Sequence, residues 1–104
     1  MSFTSLMRRF KDLEPKDFRV LLAIEAGMEK YEFIPLEIVV GYSNLPREEA
    51  LYRIRRVDRF SLVRRTASPY VGYSLTYLGY DFLALNVFVK SGRIDAIGSS
   101  LGLG

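Results

Sequence analysis

The run Pro46-Arg47-Glu48-Glu49-Ala50-Leu51-Tyr52-Arg53-Ile54-Arg55-Arg56-Val57-Asp58-Arg59-Phe60 decides the fold. At roughly 100° per residue, Ala50, Leu51, Ile54 and Val57 fall on one side of a helix, and Tyr52, Arg55, Arg56 and Arg59 fall on the other. The helix therefore has an apolar inner face and a basic outer one. Just upstream, Pro35 can start a short helix over residues 36–40 that Gly41 stops, leaving Ser43 or Asn44 to cap the long helix. Just downstream, residues 62–66 and 71–75 are short β-rich runs separated by Ala67-Ser68-Pro69-Tyr70, the pattern of a hairpin with a four-residue loop. Two helices around a glycine-containing turn, followed by a hairpin, predict a winged helix-turn-helix.

Further out, Phe3, Leu6, Met7, Phe10 and Leu13 recur at helical spacing and predict a first helix over about residues 2–13. Pro15 suits the first turn of a second helix with Asp17 near its positive end, Phe18, Leu21, Ile24 and Met28 on one face, and Gly27 close to its end. Residues 31–34 read as a short extended piece before Pro35. Thr76 is the expected cap of a fifth helix reaching Lys90. One stripe of that helix carries Leu78, Phe82, Leu85 and Val89, and another carries Tyr77, Tyr80, Ala84, Val87 and Phe88. Only Gly79, Asn86 and Lys90 form a polar strip, so one small core cannot cover every side. The expected fold class is mainly α with a small β-hairpin: about five helices and a two-stranded wing over residues 1–91, with a glycine-laced linker over 92–104.

Composition narrows the chemistry. The 104 residues are 49% hydrophobic and 26% charged, which suits one domain with a real core. Neither cysteine nor histidine occurs, so disulfides, the usual zinc ligands, the common catalytic triads and the usual neutral-pH acid–base group are excluded. No apolar run approaches ~18 residues, and residues 1–13 mix charge into their apolar positions, so the expectation is a cytoplasmic protein without a membrane partner. The net charge of +3 is unevenly spread. Between Arg47 and Arg65 lie seven arginines against Glu48, Glu49 and Asp58, a local charge of +4 that leaves −1 for the rest. Arginine supplies 11 of the 15 basic residues, which favours fork-like contacts to phosphate or carboxylate.

Leu75-Thr76-Tyr77-Leu78-Gly79-Tyr80-Asp81-Phe82-Leu83-Ala84-Leu85, then Ile97-Gly98 leading into Gly102-Leu103-Gly104, carry a family resemblance. They resemble the amino-terminal region of Rio-type atypical serine protein kinases, in the subfamily whose kinase domain follows a winged helix. The absence of insertions suits an archaeal source. The resemblance implies that residues 92–104 lead into the first edge of a kinase domain, with Gly102 and Gly104 matching the start of its nucleotide loop. Read without it, those two glycines fit a flexible linker better than a phosphate loop. The family's catalytic lysine and aspartates have no counterpart here, so these residues are expected to have no enzymatic activity and no cofactor. ATP and Mg would belong to a full-length parent resembling an ATP-dependent serine/threonine protein kinase.

The leading function is nucleic-acid binding. Arg47, Arg55, Arg56 and Arg59 on the helix and Arg64 and Arg65 on the wing would attract phosphates, while Tyr52 could stack on a base. The resemblance points to ribosomal RNA, or a precursor of the small subunit, as the partner. It also assigns Tyr77, Tyr80 and Phe88 to an interface with the kinase domain, whereas periodicity alone allows them to complete the core. Arg53 projects toward the flank and is expected to pair with Glu49. Two other classes stay open: a protein-interaction module whose arginines meet an acidic partner or solvent, and a dimeric DNA-binding transcription regulator that buries its fifth helix against a second copy.

Overall fold

The structure, a computed structural model, describes residues 3–90. Gly102, Gly104 and the rest of the expected linker lie outside the described residues. The elements run α1 (Phe3–Lys11), α2 (Pro15–Gly27), β1 (Ile34–Pro35), α3 (Leu36–Ser43), α4 (Arg47–Arg59), β2 (Val63–Thr66), β3 (Gly72–Leu75) and α5 (Tyr77–Lys90). The winged helix-turn-helix is present, with two strands of wing where the hairpin was expected.

The sheet has a third strand. β1 pairs antiparallel with β3, giving the order β1-β3-β2, with Ile34 opposite Tyr73 and Pro35 opposite Gly72. Proline has no N–H to donate, so it is tolerated because β1 is an edge. Leu36 N–H extends the pairing by donating to the Val71 carbonyl at 3.0 Å. What fixes so short a strand is its side chain, since Ile34 is fully buried.

α2 runs through the centre of the core, burying Phe18, Val20, Leu21, Ala23 and Ile24. α4 covers it with Ala50, Ile54 and Val57, while Leu51, expected on the inner face, is only half-buried. Phe10 of α1 ties three helices together, its ring 5.4 Å from that of Phe18 and 5.8 Å from that of Phe82 on α5.

Two glycines depart from their expected roles. Gly41 does not stop α3, which continues to Ser43, and the left-handed residue that ends it is Asn44 at φ 57°. Neither Ser43 nor Asn44 caps α4: Pro46 holds the N-cap position. The Ser43 hydroxyl serves the turn instead, donating to the Val40 carbonyl at 2.7 Å and accepting from Leu45 N–H at 3.2 Å. A Cβ at Gly41 would meet nothing within 4 Å. The Gly41→Ala variant should therefore be more stable by about 0.5–1 kcal/mol, because the substitution lowers the entropy of the unfolded chain and introduces no clash. Urea denaturation measures this, and a loss of stability would contradict it.

Gly79 was expected in a polar strip and is in fact buried. A Cβ there would run into the Leu62 carbonyl oxygen, so glycine lets α5 approach the backbone where the wing begins. Thr76 caps α5 as expected. Its hydroxyl accepts from Gly79 N–H at 3.1 Å and donates to the Ser61 carbonyl at 2.8 Å, holding α5 to the residue that leaves α4 with φ 64°.

Candidate nucleic-acid interface

α4 presents Tyr52, Arg55 and Arg59 outward, all exposed. Neither the Arg55 nor the Arg59 side chain makes a hydrogen bond or ion pair among the described residues. Arg65 on β2 is likewise exposed and without an ionic partner there. Alternation along the strand turns Arg64 to the opposite sheet face. It sits beside Ser74 of β3, and its guanidinium lies 5.5 Å over the ring of Phe33 at the far side of the sheet. Tyr70, from the wing loop, donates its hydroxyl to the Phe33 carbonyl at 2.7 Å and steadies that edge.

Two of the expected phosphate ligands are already engaged. Arg47 pairs with Glu37 of α3 at 2.6 Å, although both side chains stay more than half exposed. Arg56 is the clear correction. It does not stand on the outer face but folds toward α2, where its Nε donates to Asp17 Oδ1 at 3.1 Å and its Nη2 to Asp17 Oδ2 at 3.1 Å. The same Nη2 reaches the Asp12 carbonyl at 2.9 Å. A helical projection sets Arg56 only about 40° from Tyr52, on the outer face. A buried carboxylate across the helix pair decides the side.

Asp17 is the residue that the sequence reading underrated. It is fully buried. Besides Arg56 it accepts from Arg53 Nη1 at 3.4 Å and from the Glu14 backbone N–H at 2.8 Å, so it closes the first turn of α2 and binds α4 at once. The expected Arg53–Glu49 pair is present at 3.1 Å, and Lys16 adds a second cation to Glu49 at 3.2 Å. Hydrogen bonds from Arg53 and then Lys16 hold the Glu49 carboxyl below its ordinary value. The hydrogen bond to Asp17 raises Arg56 above its own, against the opposing effect of burial. The available sequence signal was Asp17 itself, an acid in the first turn of α2 three residues after Glu14.

Of the residues assigned to a domain interface, Tyr77 is 91% exposed and Phe88 38%. Tyr80 is 43% exposed, with its hydroxyl 3.4 Å from Met28 Sδ at the end of α2. No helix among the described residues is long and apolar enough to cross a membrane.

Comparison with known proteins agrees with this architecture. Residues 10–91 match the family described as "Rio2, N-terminal". The chain is 38% identical over 92 residues to the serine/threonine-protein kinase rio2 of Dictyostelium discoideum, covering 88% of this chain and 18% of that protein. It is 40% identical over 77 residues to the RIO-type serine/threonine-protein kinase Rio2 of Methanocaldococcus jannaschii, covering 74% of this chain and 27% of that one. The chain thus spans less than a third of these relatives. A crystal structure of the Rio2 kinase from Chaetomium thermophilum, as an ADP/Mg2+-phosphoaspartate complex, superimposes with a TM-score of 0.75 and 30% identity, covering 81% of this chain and 26% of that one. The S. aureus regulator MepR, at 11% identity and a TM-score of 0.67, shares the fold alone. A family match over most of the chain, joined to the winged helix and its Thr76-capped α5, makes the protein a member of the Rio2 N-terminal domain family.

Proposed function

We propose that this chain is the nucleic-acid-binding accessory domain of a cytoplasmic Rio2-type serine/threonine protein kinase. The ligand, on the family reading, is ribosomal RNA within a maturing small subunit. One observation carries the proposal: Arg55, Arg59 and Arg65 are exposed without ion pairs among the described residues, while Arg53 and Arg56 nearby are locked to carboxylates. Uncompensated arginines beside an exposed tyrosine suit phosphate attraction with base stacking. Phosphoryl transfer, with its ATP and Mg, belongs to the kinase lobes of the parent. The exposed Tyr77 and Val87 on α5 support a second contact, with that kinase domain.

Binding and folding should be separable. With both arginines on phosphates, Arg55→Ala/Arg59→Ala should reduce the log–log salt slope for single-stranded RNA by roughly 0.7 per lost contact. Thermal unfolding should barely move, since exposed substitutions usually stay within about ±0.5 kcal/mol. Arg56 is kept out of this pair because its loss would unbalance Asp17. Ile54→Ala, at a site only 2% exposed, should cost about 2–5 kcal/mol of stability. An unchanged slope in the arginine variant would reduce that face to solvated charge.

A further inference from the structure

The last turn of α1 holds Arg8, Arg9 and Lys11, all exposed, with no acid in the helix's first turn to balance them. None of the three side chains makes an ion pair among the described residues. Cations suit a helix C-terminus, but the macrodipole there amounts to only about half a negative charge. Three cations exceed it, and even counting the neighbouring Asp12 the turn stays net positive. The turn is also well placed. Phe10 anchors it between Phe18 and Phe82, and the Asp12 carbonyl receives Arg56 from α4 at 2.9 Å. That hydrogen bond brings the residue that follows α1 against α4, the helix that carries Arg55 and Arg59.

We propose that the basic last turn of α1 is a second phosphate-binding patch, contacting the backbone of the same nucleic acid that the α4 face holds. The inference rests on the nucleic-acid reading above and widens its footprint beyond the helix-turn-helix. Phosphate is the fitting ligand because the patch offers fixed positive charge, while Leu6 and Phe10 of the same helix pack against the core and are half-buried.

The test is fluorescence anisotropy with labelled oligouridine across a potassium chloride series. It compares the unmodified chain with Arg8→Gln/Arg9→Gln/Lys11→Gln and with Arg55→Gln/Arg59→Gln. Glutamine keeps helix propensity close to that of the residues replaced. The α1 variant should show a salt slope shallower by roughly 0.7 per lost contact, about two in all if the three side chains each hold a phosphate. An unchanged slope in the α1 variant beside a shallower one in the α4 variant overturns this inference and leaves the nucleic-acid reading standing. A lower melting temperature with an unchanged slope does the same, because it assigns the cations to the helix dipole. Unchanged slopes in both variants, or no binding by the unmodified chain, overturn both readings. If the triple variant does not fold, each single substitution is measured instead. At least one must lower the slope, and none doing so overturns the inference.

Discussion

Replacing Asp17 with alanine should remove about 3 kcal/mol or more of folding stability, in the range expected when one partner of a buried ion pair is deleted. The carboxylate is fully buried, and its oxygens accept from Arg56, Arg53 and the Glu14 backbone N–H. Without it, Arg53, only 8% exposed, keeps its charge in the interior. Glu14 and Glu49 stand close enough to Arg53, at 3.3 and 3.1 Å, to limit the loss, which keeps the figure at the lower end of that range. Asp17→Asn should cost less, since an amide oxygen can still accept from the Glu14 N–H while the charge is gone. Chemical denaturation measures both. A loss below about 1 kcal/mol for the alanine variant, within the range of exposed pairs, would mean that the neighbouring glutamates neutralise the arginines unaided. The network also bears on the proposed function: it joins α2 to α4, so the angle at which α4 presents Tyr52, Arg55 and Arg59 depends on Asp17, which is itself fully buried.

What could be read in the sequence and what could not divides along one physical line. α4, the hairpin and the Thr76 cap each depend on residues a few positions apart, and each is found within two residues of its expected bounds. Arg56 failed because a helical projection knows only its own helix, and the Asp17 that captures it lies 39 residues away. β1 was legible only as an extended piece. Two residues carry no periodicity, and its pairing with β3 depends on where the wing returns. Gly79 looked polar by default, yet its lack of a side chain is what the Leu62 backbone requires. Gly41 looked like a helix stop, but the left-handed residue is Asn44, which adopts that conformation more readily than most residues that carry a side chain. At the candidate interface, exposure of Tyr52, Arg55 and Arg59 followed from the helix face, while Arg64 and Arg65 were legible only as residues of the wing. Which arginines were spoken for did not follow, because that depends on carboxylates brought in from α2 and α3.

Replacing Phe82 with alanine should be the most damaging change in α5, costing about 3–5 kcal/mol. The ring is fully buried, and it meets Phe10 nearly edge-on at an interplanar angle of 73°. Such aromatic pairs contribute about 0.5–1.5 kcal/mol beyond their buried area. Removing the ring leaves a void between α1, α2 and α5 that close-packed neighbours fill only in part. Phe82→Leu keeps most of the volume and should lose much less. The effect should also be uneven across the molecule. Because Phe82 is the largest side chain that α5 buries, the amides of α5 should lose hydrogen-exchange protection before those of α2 and α4 do. The salt-dependent RNA binding proposed for Arg55, Arg59 and Arg65 should persist under conditions where the variant remains folded, because those side chains are set by α4 and the wing. A stability loss under about 1.5 kcal/mol would mean that α5 is held by its Thr76 cap and the Leu62 approach more than by packing. Weakened RNA binding in a still-folded variant would instead bring α5, and the Tyr77 side of it, into the nucleic-acid surface.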